Sequence, residues 1–332
     1  MSSSAVKHHA IKSTSIGERS AAVQDNPVPP QWPSFGRSQF VGTSPSGRVT
    51  VFVDPTLGQP AQQNAQDLVN DADRIVNANN TLFASFGGPV SVIVFALDGA
   101  TDGSGGADHM GCDFDTGAAI EVCASFGNSM RVSALFEAEL SECSMGGNLC
   151  GVSTGEALSR WCAAVIGENA LSDFATAPRW AQDKMPDFVN RTDPTDGDAD
   201  STGCGMAFLS WLMSQGYGLA QIAQEMVNLG DSGTLAQLYA KLTSDSIDNA
   251  LPKFLAAVKA LPGGVTTDDP FGAFQLQHLA VAKAAHETVT GAKAISVAAP
   301  AAKTARSVAN VCLPKSRRLR PPHKAQQPSQ SL

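Results

Sequence analysis

Residues 49–97 open on Val49-Thr50-Val51-Phe52-Val53 and close on Val90-Ser91-Val92-Ile93-Val94-Phe95-Ala96-Leu97. Both runs are short, apolar and rich in β-branched side chains, the pattern of buried strands. Between them Leu68, Ala72, Ile75, Val76 and Phe83 recur at helical spacing from about Gln62 to Ala84. Asp54-Pro55 turns the chain out of the first strand, and Gly87-Gly88-Pro89 stops the helix. Strand, helix and strand in that order predict a βαβ start with a right-handed parallel crossover. Residues 107–126 read as a hairpin, with Asp115-Thr116-Gly117 at its tip and Ile120-Glu121-Val122-Cys123 as its return strand. From Ser129 onward the pattern is helical. Val132, Phe136, Leu140 and Cys143 line one helix that ends at Gly146-Gly147, and further helices are expected near 154–166, 203–215, 219–229, 233–243 and 246–261. A sheet first and helices afterwards predict an α+β fold, with an N-terminal mixed β-sheet and a mainly helical C-terminal half.

The composition sets the outer limits. Of 332 residues, 43% are hydrophobic, enough for a sizeable core. Residues 1–46 are rich in Ser, Pro and Gln without apolar periodicity and read as a disordered leader. The folded domain is expected over 47–262. Residues 263–332 read as an Ala-rich low-complexity segment and a basic disordered tail, with Lys315, Arg317, Arg318 and Arg320 in its charge run. Only 16% of residues are charged and the net charge is −8, so no basic field is available to gather phosphates, and nucleic acid is excluded as a partner. No apolar run approaches the length of about 20 residues that crosses a bilayer, which excludes membrane insertion. The first 40 residues hold no apolar core of a signal peptide, so a cytoplasmic location is the default.

The cysteines point the other way. Cys112 and Cys123 would face each other across the hairpin if its turn centres on Gly117 and Ala118, and Cys143 and Cys150 flank a Gly-Gly turn. Oxidised pairs would mean export, whereas small buried thiols would suit a reducing compartment. Asp193, Asp196, Asp198 and Asp200 form a candidate calcium loop without the EF-hand pattern, and turns and capping before the next helix explain them more simply. Gly151-Val152-Ser153-Thr154-Gly155 matches a nucleophile-elbow pattern without the preceding strand and reads as a loop and cap.

A sheet, a hairpin edge strand, a helix bearing Ala138-Glu139-Leu140-Ser141-Glu142 and a second helix opening on Gly155-Glu156-Ala157-Leu158 resemble the gluzincin type of zinc metallopeptidase. Cys204 to Leu212, Leu219 to Ile222 and Leu235 to Tyr239 extend the resemblance towards the plant basic secretory protein-like peptidases, over roughly residues 48–260. The resemblance implies a zincin-like domain whose HExxH motif is degraded. In an intact motif two His at i and i+4 bind zinc, the intervening Glu activates water, and a Glu of a later helix is the third ligand. On that alignment Glu139 keeps the general-base position and Glu156 that of the third ligand, while Ala138 and Glu142 replace the two His. A methyl group cannot ligate, so zinc binding is expected to be weak or absent.

His109 is the one histidine between residues 10 and 277. It either completes a metal site with Glu142 and Glu156 or is an ordinary hydrogen-bonded residue. Glu139 and Glu142 read equally as solvated helix-face carboxylates, and Glu156 as a first-turn acid. Three functions stay open: a noncatalytic pseudo-metallopeptidase that binds a peptide or protein in its cleft, an atypical metal-dependent hydrolase using Glu139, Glu142, Glu156 and His109, and a secreted structural or interaction protein.

Overall fold

The computed structural model of the protein describes residues 26–96, 105–117, 119–125, 128–278 and 281. The charge run of the tail, Cys312, Leu97, Ala118 and residues 1–25 lie outside the described residues.

The two runs that open the sequence analysis are β2 (Val49–Val53) and β3 (Val90–Phe95), joined by α1 (Gly58–Phe83). They pair in parallel, Val49 opposite Val90 and Val53 opposite Val94. β1 (Gln39–Thr43) adds to β2 antiparallel, and β5 (Ala119–Cys123) adds to β3 in parallel. β4 (Ala107–His109) closes the sheet antiparallel to β5, which gives the order β1-β2-β3-β5-β4. The sheet is mixed, as the βαβ start followed by a hairpin requires.

Alternation places Val49, Val51, Val53, Val90, Val92, Val94, Ile120 and Val122 on one face, in the main core. That core is completed by α1 and by α3 (Ser129–Ser144), α4 (Ser153–Ile166) and α6 (Ala199–Ser214). The opposite face carries Phe52, Ile93 and Ala119, covered by Phe35 with Trp32 and Phe40 beside it. Phe35 and Phe52 meet edge to face at 5.5 Å.

Both boundaries of the expected domain are therefore corrected. β1 and a 3-10 turn at Pro33–Arg37 fall inside the stretch read as leader, because the outer face of the sheet needs Trp32 and Phe35 to exclude water. Beyond residue 262, Asp268 accepts the backbone N–H groups of Thr176 and Ala177, Asp269 accepts that of Ala273, and Ala273 is buried. Pro262-Gly263-Gly264 ends a helix, not the fold.

The helical half follows its periodicity closely. Helices α7 (Leu219–Leu229), α8 (Leu235–Thr243) and α9 (Ala250–Lys259) fall where apolar residues recur, and α8 starts on a Thr234/Gln237 capping box. Two short helices lie where no helix was expected, α2 (Phe114–Gly117) and α5 (Ala177–Gln182). Each is too short to show a period.

A polar seam joins α1 to α3. The Asn79 side-chain amide donates to Glu137 Oε1 at 2.8 Å, Ser141 Oγ donates to the same oxygen at 3.0 Å, and Ser144 Oγ donates to Asn79 Oδ1 at 2.6 Å. Glu137 is fully buried and its second oxygen has no hydrogen-bond partner. Burial pushes its carboxyl up to about 8, against the opposing hydrogen bonds of Asn79 and Ser141. Folding thus binds a proton that the unfolded chain releases above 4.5. This contribution to stability is complete below pH 4.5 and is lost as pH rises towards 8. Glu137→Gln keeps an acceptor for Asn79 and cannot ionise. Urea unfolding at stepped pH should show wild-type stability falling relative to the variant between those limits, by at most about 1.4 kcal/mol per pH unit. Parallel profiles would show that the buried carboxyl is not protonated.

Candidate metal centre in the cleft

The helix α3 brings three carboxyls inward. Glu137 faces the seam, whereas Glu139 and Glu142 face the opposite wall, beside the edge strand β4. None is the solvated helix-face carboxylate that i,i+3 spacing allows, since Glu137 and Glu142 are buried and the Glu139 side chain is only 14% exposed.

His109 ends β4, held by pairing opposite Ile120. Its Nδ1 lies 2.7 Å from the Gly111 carbonyl, which can only accept, so Nδ1 carries a hydrogen and Nε2 points to the helix. Nε2 is 2.9 Å from Glu142 Oε2 and 3.9 Å from Glu139 Oε2. His109, Glu139 and Glu142 each offer one donor atom, and these atoms lie within 4.8 Å of one another. These contacts make His109 a hydrogen-bonded residue and join it to the acidic helix.

Glu156, in the first turn of α4, is next to this group. Together with Gly106, Ala107, Leu135, Ala138, Glu139, Arg160, Leu171 and Phe174 it lines a cavity of ≈ 210 Å³. Ala138 and Glu139 therefore open onto the same space as Glu156. Ser159, one turn beyond, places its hydroxyl 3.2 Å from Glu142 Oε1 and 3.0 Å from the Glu156 carbonyl. Sequence reasoning missed Ser159; its signal was the i,i+3 spacing to Glu156. Arg160 is committed elsewhere, to Asp268 at 3.0 Å, to Thr176 Oγ1 at 3.2 Å and to the Phe174 carbonyl.

Burial and crowding of like charge set the protonation. Burial opposes a charge on His109, but the Glu142 hydrogen bond and the charges of Glu139 and Glu142 outweigh it and lift the imidazole to about 9. Burial, the Glu142 charge and the nearby Asp196 push Glu156 up to about 7 against the pull of Arg160. Burial and Glu142 raise Glu139 well above the ordinary carboxyl value, partly offset by His109.

The remaining expectations divide. Among the described residues, His, Cys, Asp and Glu donors gather in threes at His109, Glu139 and Glu142 and nowhere else. Asp193, Asp196, Asp198 and Asp200 do not converge. Asp198 accepts the Asp200 N–H at 2.9 Å, Asp200 faces Arg179 at 3.5 Å, and the Asp193 carbonyl accepts the Ser153 N–H at 3.1 Å, so this stretch turns the chain and caps α6. Ser153 starts α4 as a buried backbone anchor, not as a nucleophile on a strand-to-helix turn.

The disulfide pairing is also corrected. The hairpin register sets Cys123 opposite Gly106, not Cys112, since its N–H donates to the Gly106 carbonyl. Cys112 instead bonds to Cys150, with Cα atoms 5.8 Å apart, and Cys143 is a buried thiol. The bridge ties the segment after β4 to the turn between α3 and α4.

No family model matches the chain, and no curated protein matches it. Among solved structures it is similar to a mutant of an M1 zinc metallopeptidase from Deinococcus radiodurans, at 10% identity and a TM-score of 0.40. The similar structure is a zinc peptidase. The match covers 65% of this chain and 51% of that one, so the chain spans about half its length. A likeness at that TM-score fixes neither fold family nor activity. No described helix is long and apolar enough to cross a membrane.

Peptide mapping without reduction should recover Cys112 cross-linked to Cys150 from protein purified in its native redox state. Linkage of Cys112 to Cys123, or of Cys143 to Cys150, would contradict the register of β4 and the path of the loop.

Proposed function

We propose that the chain is a zincin-like protein that holds a divalent metal ion with His109, Glu139 and Glu142 and acts as a metal-dependent, peptidase-like hydrolase. The observation that carries this reading is the convergence of three donor atoms within 4.8 Å beside a cavity. One imidazole and two carboxylates form a harder set than the His-rich centres of common zinc peptidases, suited to manganese or zinc. The donor types fit such an ion: with hydrogen on Nδ1, held by the Gly111 carbonyl that is the usual outer partner of a ligating His, Nε2 can ligate once the ion displaces the proton it shares with Glu142. When bound, the ion would supply Lewis acidity and a water of lowered pKa.

The chain's own residues supply the rest. Glu156, on the cavity wall beside Glu139, is the carboxyl left for moving a proton to or from a substrate. Ser159 steadies the second oxygen of Glu142. Leu135, Leu171 and Phe174 give the cavity an apolar side, against which an extended peptide side chain could rest. The Cys112–Cys150 bridge fits export to an oxidising compartment.

A second reading is favoured by the same 2.9 Å contact between His109 and Glu142. As an imidazolium, His109 is itself the counter-ion of the carboxylates, and a metal must displace its proton to enter. The domain would then be a noncatalytic scaffold that binds a peptide or protein in its cleft.

Calorimetric titration of the dialysed protein with zinc and with manganese separates the two. The metal reading expects about one ion per chain, with affinity reduced at least roughly tenfold in His109→Ala. Ala138→His adds an imidazole on the cavity wall and should tighten zinc binding by a similar factor. Wild-type protein that binds neither ion, while Ala138→His does, would establish the scaffold reading.

A further inference from the structure

We infer that the Cys112–Cys150 disulfide is the positioning element of the metal centre: by fixing the Gly111 carbonyl it aims the His109 ring at Glu139 and Glu142. The edge strand alone cannot do this. β4 has three residues, and its pairing sets the backbone of His109 opposite Ile120 but leaves the ring free to rotate about its side-chain bonds. The ring is aimed by its Nδ1 bond to the Gly111 carbonyl at 2.7 Å. That carbonyl belongs to the residue immediately before Cys112.

Three contacts hold the Gly111-Cys112 segment against the helices. The Cys112 carbonyl accepts the Gly147 N–H at 2.8 Å, the Cys143 thiol lies 3.7 Å from the Gly111 carbonyl, and the Cys112 sulfur is bonded to Cys150. The first two are single weak tethers, each of a size that a loop can exchange for water. The third is covalent, and its far end lies in the turn that joins the helix of Glu139 and Glu142 to the helix of Glu156. The bridge therefore couples the strand that carries the imidazole to both helices that carry the carboxyls.

The test uses the full chain, with Cys112→Ser and Cys150→Ser combined and His109→Ala as a partner variant, each checked for native circular dichroism. It rests on the metal-site reading only in its zinc arm. In that arm the double serine variant should bind zinc roughly 10- to 100-fold more weakly than wild type, the range seen when an outer-shell partner is lost. In a His109→Ala background the same pair of serines should cause little further loss, because the bridge acts through that ring. Loss below about threefold, or equal loss in both backgrounds, would overturn the inference. A second arm needs no metal: in protein labelled with ¹⁵N-histidine, the His109 Nδ1–H signal, assigned by its absence from His109→Ala, should be protected in wild type and lost in the serine variant. If wild type binds neither zinc nor manganese, the metal reading falls, and retention of that signal in the serine variant would overturn the positioning role on its own.

Discussion

Three carboxyls within six residues of one helix, all turned inward, are the constraint around which this domain is arranged. Removing an ionised carboxylate from water is prohibitive unless it is paired or protonated. Glu137, Glu139 and Glu142 each meet that demand differently. Glu137 takes a proton and two hydrogen bonds in the seam with α1. Glu142 takes the His109 imidazole and the Ser159 hydroxyl. Glu139 sits at the cavity, held above its ordinary protonation range by burial and by Glu142. Substituting an apolar residue for any of them would relieve the helix, so their presence marks this face as more than packing.

The sheet explains why a single histidine suffices. β5 is not the outer strand of its hairpin; it lies inside the sheet against β3, and β4 hangs on its free edge. An edge strand reaches past the body of the sheet and can lay its last side chain over a neighbouring helix. His109 is that last residue, and α3 packs beneath it. Arg160, the other cation in the cleft, is spent on joining Asp268 and the Phe174 carbonyl, which leaves the acidic group with one nearby positive partner among the described residues.

Much of this was legible in the sequence where periodicity is strong. The valines of β2 and β3 and the apolar stripes of α7 and α9 placed those elements within a few residues, because a buried face must repeat with the period of its element. Features that depend on partners distant in the chain were less legible. Whether Trp32 and Phe35 belonged to the fold depended on Phe52 and Ile93 lying on an outer sheet face, and no local pattern reveals that. The Cys112–Cys123 pairing failed through the hairpin register, since Cys123 lies opposite Gly106 and not Cys112. At the site, the resemblance singled out Glu139, Glu142 and Glu156 as candidates and the scarcity of histidine singled out His109, but not that His109 would lie 2.9 Å from Glu142, which tertiary geometry sets; Asp198 caps α6, one of the two readings its loop allowed.

The path of the chain between the two bridged cysteines has a thermodynamic consequence. Their 38-residue separation spans β5 and α3 and so takes in Glu137, Glu139 and Glu142. Closing a loop of that length lowers the conformational entropy of the unfolded chain by an amount equivalent to about 4 kcal/mol. The segment that is hardest to fold, because its carboxyls must leave water, is thus the segment whose unfolded ensemble is most restricted. Once formed, the cross-link offsets part of the desolvation of that helix by raising the free energy of the unfolded chain.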